Sequence, residues 1–590
     1  MFQGDHQSIF EGSQILYNKL NKKIKFETKA FYLMGKEKSV GISTNVDNAK
    51  HFENSNLEKR GESSHITPES SIDYYEEGEP QLRKQFSFIN LLGVGFGLTN
   101  SWFGISSSMV TGISSGGPLM IIYGIIIIAL LSVAIGSSLG ELSSAYPHAG
   151  GQFYWTLKLA DKKHKRFLAY MTGFLSWIGS VFTSASTTLS VCFLLVGFYA
   201  LTHPDFTVHR WHIFVTFEIL HVVISCFNCF GSTLPIISAS ALYISIGSFL
   251  IITVAVLSGA HGKYQDPKFV FATFYNETGW NSNTIAFILG LINPAWSFSC
   301  LDCATHMAFE VENPEKVIPL SILGTVGIGF ITSFLFVIAM FFSIQDLDAV
   351  MNSSTGFPIL EIFHQALNKS KAGAIVLGCL ILMTALGCVI ACHTWQARLC
   401  WSFSRDNGLP YSNQWGQIDK RSNLPLKAHL MSCVVIAILG LLYLASDTAF
   451  NSLITGCISF LLFSYSIPIG LLVFHKKRNI QKGPFWLGKL GLFFNIVTLG
   501  WTLFALIFFS FPFVRPVRAD NMNYSSVFIV AALVFIVGFW KTVANKRFRI
   551  LEEIKRGENS PLTTVITNDN IKSDDSLAFE IIGDSTTELN

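Results

Sequence analysis

The chain has 590 residues, half of them apolar, with 14% charged, 14% aromatic and a mean hydropathy of +0.43. A soluble globular protein carries about 25% charged residues, so this surface has too few charges to face water. With a formal net charge of only +3, the composition excludes a nucleic-acid binder, a disordered chain and an ordinary cytosolic enzyme.

Residues 1–85 are polar and contain no signal-peptide core, which predicts a largely disordered cytoplasmic tail. Apolar stretches near the ~20 residues needed to cross a bilayer then follow in series. Their expected bounds are 87–111, 116–140, 168–200, 211–230, 234–259, 284–309, 320–344, 373–398, 428–445, 448–474, 488–511 and 524–544. The reading is an all-α integral membrane protein with twelve transmembrane helices occupying 86–545. The division between the ninth and tenth spans rests on Ser446-Asp447 alone. Residues 546–590 are acidic and rich in Ser, Thr and Asn, a composition that cannot bury a core and predicts a second disordered tail.

Twelve spans place both termini on one side. With cytoplasmic termini, sixteen Lys and Arg fall in inner loops, including Lys162-Lys163, Lys420-Arg421 and Lys476-Lys477-Arg478, against seven in outer loops. Four Asn-x-Ser/Thr sequons, at Asn276, Asn352, Asn368 and Asn523, all fall in the loops assigned as outer. They are glycosylation candidates and agree with that orientation.

The eleven cysteines lie in or beside apolar segments. Cys226-x-x-Cys229 and Cys300-x-x-Cys303 read as small packing residues, and no disulfide framework is implied. No metal-ligand cluster and no nucleophile–base arrangement stands out, so the expectation is no metal, no cofactor and no enzyme.

Two spans resist continuous helix. Span one reads Gly93-Val-Gly95-Phe-Gly97-Leu-Thr99-Asn100-Ser101-Trp102-Phe103-Gly104, and glycine is a poor helix former. Span six reads Asn293-Pro294-Ala295-Trp296-Ser297-Phe298-Ser299-Cys300-Leu301-Asp302, where Pro294 removes a donor. Unwinding is expected at Gly97–Ser101 and Pro294–Ser297. Interrupted spans at matching positions point to a transporter binding site between inverted repeats. Here the repeats would be 87–259 and 284–474, with two further C-terminal spans.

The breaks carry aromatic side chains. A quaternary ammonium donates no hydrogen bond and needs ring faces, each contributing roughly 0.5–2 kcal/mol. Trp102, Phe103, Trp296 and Phe298, with one carboxylate at Asp302, suit a small organic cation better than an anion. Gly97, Asn100 and Ser297 complete the expected site, and span eight offers His393 or Trp395. Intramembrane ionisable groups are functional candidates by default: Asp302 is the first, with Glu218 and His221 in span four as further coupling candidates. Driving by protons or by the membrane potential are both open. So are rival substrates (4-aminobutyrate, a polyamine, another amine or amino acid) and a nutrient sensor that binds without transporting.

The segment Trp296-Ser-Phe298-x-x-x-Asp302-x-Ala304, followed by Glu310-Val-Glu312-Asn313-Pro314, resembles the amino acid–polyamine–organocation superfamily. So do Glu141-Leu-Ser-Ser-Ala-Tyr146-Pro147 and Arg405-Asp406-Asn407-Gly408-Leu409-Pro410. The stretches 97–104, 293–307 and 393–403 are similar to the fungal choline-permease branch of that superfamily. The resemblance implies a fold of two inverted five-helix repeats and a plasma-membrane importer of choline, with ethanolamine as a weaker substrate. It implies an aromatic gate at Trp296, an acidic residue at Asp302 and a span-eight residue in the pathway.

Overall fold

The computed structural model describes residues 86–548, apart from 231–233, 354, 447, 475–480 and 520. The tail readings for 1–85 and beyond 548, and the cluster Lys476-Lys477-Arg478, lie outside the described residues. Among the described residues there is no β-strand, only the isolated bridges Phe86↔Val311 and Ser115↔Asn276. Eleven helices are long and apolar enough to cross a membrane. The twelfth, span six, falls short only because it is interrupted, as Asn283–Gly290, Ile292–Ser297 and a 3-10 turn at Thr305–Glu310.

The other spans are Phe88–Thr99 with Ser101–Ser107 (span one), Gly117–Ala145, Lys165–Thr202, Arg210–Phe227 and Leu234–Gly259. After span six come Pro314–Ser343, Lys371–Arg405, Leu426–Gly440 with Leu442–Ala445, Ala449–Phe474, Lys489–Phe508 and Ser525–Phe539. Spans nine and ten are therefore separate helices. Local signals set the ends: Ser87, Ser282 and Ser370 cap helix N-termini with their hydroxyls, and Pro118, Pro314 and Pro358 occupy first turns, where a missing N–H costs nothing.

Each of the first four spans packs against the span five later: one on six, two on seven, three on eight and four on nine. Glycines permit the close approach, as in membrane helix pairs generally. Gly104 faces Ser297, Gly136 faces Ile322, Gly173 lies under the Phe403 ring and Gly440 lies against Phe217. Outward surfaces stay apolar, with Leu130, Val254 and Val534 exposed, the arrangement a lipid solvent requires.

The loops segregate to two ends. At one, Lys263 Nζ donates to Asn368 Oδ1 at 2.7 Å, the Arg515 N–H to the Thr278 carbonyl at 2.7 Å, and Thr448 Oγ1 to the Met522 carbonyl at 2.9 Å. These are the loops that the charge distribution assigns as outer. At the other, the Leu487 N–H donates to Glu141 Oε1 at 2.7 Å and Arg166 Nη2 to the Phe548 carbonyl at 2.6 Å. Of the sequons, Asn352 and Asn368 are exposed and Asn276 is half-buried. Asn523 is corrected: it is buried, and its Nδ2 donates to the Phe509 and Phe511 carbonyls, so it is a structural amide.

Glu310, at the end of span six, forms a bidentate ion pair with Arg398 of span eight, at 2.5 Å from Nε and 3.0 Å from Nη2. Both side chains are about 1% exposed. Removing one partner leaves a buried charge and costs about 3–5 kcal/mol, whereas replacing both by apolar groups is far milder. Glu310→Leu alone is expected to lower the melting temperature and surface yield sharply, and Glu310→Leu with Arg398→Met to recover much of both. Fluorescence-detected thermal denaturation of purified protein checks the order.

Candidate functional site

The two breaks are real and they meet. In span one a single residue interrupts the helix: Asn100 is left-handed (φ 35°, ψ 63°) between Phe88–Thr99 and Ser101–Ser107. Asparagine tolerates that conformation better than most residues. Gly97 and Thr99, expected to unwind, are helical. In span six the expected position is corrected. Pro294 lies inside the helix Ile292–Ser297. It lacks the N–H that would reach one turn back, so the helix divides upstream, at Leu291. The unwound stretch is instead Phe298–Ala304, with Cys300 at φ 65°.

Side chains bind the breaks to each other. Asn293 Nδ2 donates to the Ile105 carbonyl at 3.2 Å and to Ser108 Oγ at 2.5 Å. Thr99 Oγ1 donates to the Ser299 carbonyl at 3.3 Å. A β-carbon on Gly104 would lie 2.7 Å from Ser297 Oγ and 3.0 Å from Ser297 Cα.

A small cavity sits at this crossing. Span one contributes Leu98, Thr99, Phe103 and Gly104, and span three contributes Thr183 and Thr187. Span six adds Trp296, Ser297, Ser299 and Cys300, and span eight adds Cys388. Its volume is about 10 Å³, room for one water, so the molecule is closed around it. Among the described residues, no ionised side chain lines it. Two helix C-termini do, those of Phe88–Thr99 and Ile292–Ser297, and such ends carry up to roughly half a negative charge. The opposing N-terminal pole belongs to the seven-residue helix Ser101–Ser107.

Of the residues expected at the site, Phe103, Trp296 and Ser297 line the cavity. Trp296 stands edge-on to Phe450 of span ten, with ring centres 6.1 Å apart. Gly97 is buried, yet a β-carbon there would meet nothing within 4 Å, so it borders open space. The others point elsewhere. Trp102 is fully buried, its Nε1 donating to Ser245 Oγ at 2.9 Å, with its ring against Phe336. Asn100 Oδ1 accepts from the same Ser245 hydroxyl at 3.2 Å. Phe298 points toward Gly329 of span seven. Trp395 is buried and lines no described cavity. His393 lies 5.2 Å from His221 and 5.8 Å from His429, ring centre to ring centre.

Asp302 is fully buried in a network of its own. Oδ1 accepts from the Tyr465 hydroxyl at 2.6 Å, and Oδ2 accepts from Gln152 Nε2 at 2.5 Å and lies 3.1 Å from His306 Nε2. His306 Nδ1 faces the Ala149 carbonyl at 2.8 Å. The network ties span six to span ten and to the segment between spans two and three. His221 and Glu218 do not pair: His221 Nε2 donates to the Cys433 carbonyl at 3.0 Å, and Glu218 lies beside Gly440.

Sequence reasoning missed Leu98, Thr99, Gly104, Ser299, Cys300 and Cys388 as lining residues. Thr183 and Thr187 belong to a Ser/Thr-rich run in span three, which was a usable signal. Cys300 and Cys388 resemble packing residues in every respect that composition can show. Gly104→Ala is expected to lower thermal stability by forcing spans one and six apart, whereas Gly97→Ala, which adds a methyl to open space, should leave it unchanged. Melting curves of the two purified variants read the difference.

A model of the amino acid permease family matches residues 86–534. The chain is 68% identical over 477 residues to the choline transporter of Saccharomyces cerevisiae, covering 81% of this chain and 84% of that protein. It is 34% identical to the 7-keto 8-aminopelargonic acid transporter of the same yeast, over 78% of this chain and 92% of the other. It is 36% identical to the swainsonine transporter of Arthroderma benhamiae, over 80% and 93%. With its helices crossing in five-apart pairs around two broken spans, the chain is a multi-pass membrane transporter and belongs to the amino acid permease family, within the amino acid–polyamine–organocation superfamily.

Proposed function

We propose that the protein imports choline, and ethanolamine more weakly, across the plasma membrane by alternating access, with both termini cytoplasmic. The observation that carries this reading is the cavity at the crossing of the two breaks. It offers the aromatic rings of Trp296 and Phe103, the carbonyl ends of two helices and, among the described residues, no ionised side chain. A trimethylammonium group suits that lining because it has charge but no proton to donate, so it asks for ring faces and diffuse negative potential. A free amino acid would bring a carboxylate that the lining does not neutralise. The 68% identity to a choline transporter supports the same substrate. An inside-negative potential adds roughly 2.3 kcal/mol per charge per 100 mV to inward movement.

Asp302 takes a different role from the one its sequence position suggests. It braces the closed state rather than touching substrate. Both ring nitrogens of His306 face oxygens, the Ala149 carbonyl and Asp302 Oδ2, and a neutral imidazole has only one N–H. A carboxylate beside a neutral His306 would leave one acceptor facing another. The Asp302–His306 pair is thus placed where a proton passing between its partners bears on the contact between span six and the span two–three segment. This supports proton coupling.

Radiolabelled uptake in cells lacking their own choline uptake tests the substrate. Saturable choline uptake, reduced by excess ethanolamine and little affected by 4-aminobutyrate or polyamines, is expected; better competition by either of the last two sinks the assignment. Trp296→Ala and Phe103→Ala should each raise KM by about ten-fold, the loss of one cation–ring contact of ~1.4 kcal/mol, at unchanged surface expression. His306→Gln should instead abolish choline-driven acidification of proteoliposomes, and persistence of that signal removes the coupling role.

A further inference from the structure

The bundle carries a second polar centre, away from the cavity at the breaks. His393 of span eight meets His429 and Cys433 of span nine, with one ligand atom from each lying within 4.8 Å of the others. Cys433 Sγ is 3.8 Å from His393 Nδ1 and 3.7 Å from His429 Nδ1. A d10 ion bound at zinc-like distances, ~2.3 Å to sulfur and ~2.0–2.1 Å to nitrogen, sets its S and N ligands about 3.5 Å apart in a tetrahedron. The three side chains are thus close to ligand spacing with little movement.

Two further features point to a ligand. The His393 side chain is fully buried, and its Nε2 has no hydrogen-bond partner among the described residues. Only the weak thiol contact touches the other ring nitrogen. His429 Nε2 lies 3.1 Å from the Ser225 carbonyl and donates to it, which leaves Nδ1 without a proton; Cys433 Sγ lies side-on to this ring, 3.7 Å from Nδ1 and 3.6 Å from Nε2, so binding turns the thiol toward Nδ1. Metal-binding histidines are characteristically oriented by such a bond to the outer nitrogen. A second cavity, about 10 Å³ in volume, lies against His393 and His429 beside Leu424, Pro425 and Leu426 at the start of span nine, and so leaves room for a small ligand next to both imidazoles.

We infer that His393, His429 and Cys433 form a binding site for a soft d10 metal ion, Cu⁺ or Zn²⁺, that bridges spans eight and nine. Thiolate and imidazole together select these ions over Mg²⁺ or Ca²⁺. Binding replaces the Cys433 S–H proton by the metal–sulfur bond, and the proton leaves to water. One thiolate and two neutral imidazoles around Cu⁺ sum to zero charge, whereas Zn²⁺ leaves one positive charge in a low-dielectric site. The charge count therefore favours Cu⁺.

The test uses the full chain in lipid nanodiscs. It is titrated anaerobically with Cu⁺ against a chromophoric Cu⁺ chelator, and separately with Zn²⁺ against a zinc indicator. One ion per chain is expected, displaced less readily for Cu⁺, with stoichiometry falling by one in Cys433→Ser and in His429→Ala. X-ray absorption of the loaded wild-type protein should show one sulfur and two nitrogens. An all-sulfur shell, no binding to the wild type, or binding untouched by both substitutions overturns the site. The absorption result stands even where a variant fails to fold.

Discussion

A bilayer offers no water to an unpaired backbone group, so a helix that stops midway must find partners for what it releases. Spans one and six solve this together. The Asn293 amide reaches across to the Ile105 carbonyl and to Ser108, Thr99 donates to the Ser299 carbonyl, and Cys388 Sγ donates to the Leu98 carbonyl at 2.9 Å. The absence of a side chain at Gly104 brings the two chains close enough for these bonds. Neither break could exist alone at that depth. The cavity is the space left where two imperfect helices satisfy one another, and its polarity is largely main-chain polarity.

That origin explains why the lining lacks charge although the protein has charges nearby. The ionised groups serve closure. Glu310 and Arg398 bind the end of span six to span eight, and the Asp302 network binds the same stretch to span ten and to the segment after span two. These networks grip the unwound stretch of span six at Asp302 and the residues after it at His306 and Glu310. A hinge at Phe298–Leu301 therefore separates a half fixed to span one from a half fixed by ionic and charge-assisted bonds. The fixed bonds can change partners or protonation, which is what a gate requires, while the neutral lining keeps its affinity for a cation in either state.

The span pattern was legible because twenty apolar residues have few other uses, and both broken segments showed in the glycines of span one and in Pro294. The rotation of each helix was not legible. In a soluble helix an apolar stripe marks the buried face, but in a bilayer the lipid face is just as apolar. Trp102 and Phe103 are adjacent and equally hydrophobic, yet the first hydrogen-bonds to span five and the second faces the cavity. Pro294 misled for a related reason: the residue signals where a donor is missing, and the helix answers one turn upstream at Leu291, while the gap itself falls at Phe298–Ala304. In span eight the candidates were His393 and Trp395, but the residue that lines the cavity is Cys388, about 7 Å from His393 along the helix axis.

The same ambiguity bears on how an aromatic residue becomes part of a site. A tryptophan fixed on all sides, as Trp102 is by Ser245 and Phe336, has no face to give a ligand. Trp296 stands edge-on to Phe450, lines the cavity and lies in the last turn before the chain unwinds, so its backbone stands at the hinge. A cation stacked on that ring would bear directly on the residue from which the unwound stretch departs. Recognition and movement would then share one side chain, and a ligand that cannot stack would fill the space without transmitting anything to the hinge. Selectivity in such an arrangement follows from what the ring accepts, a diffuse positive charge with methyl groups, rather than from a matched pair of opposite charges.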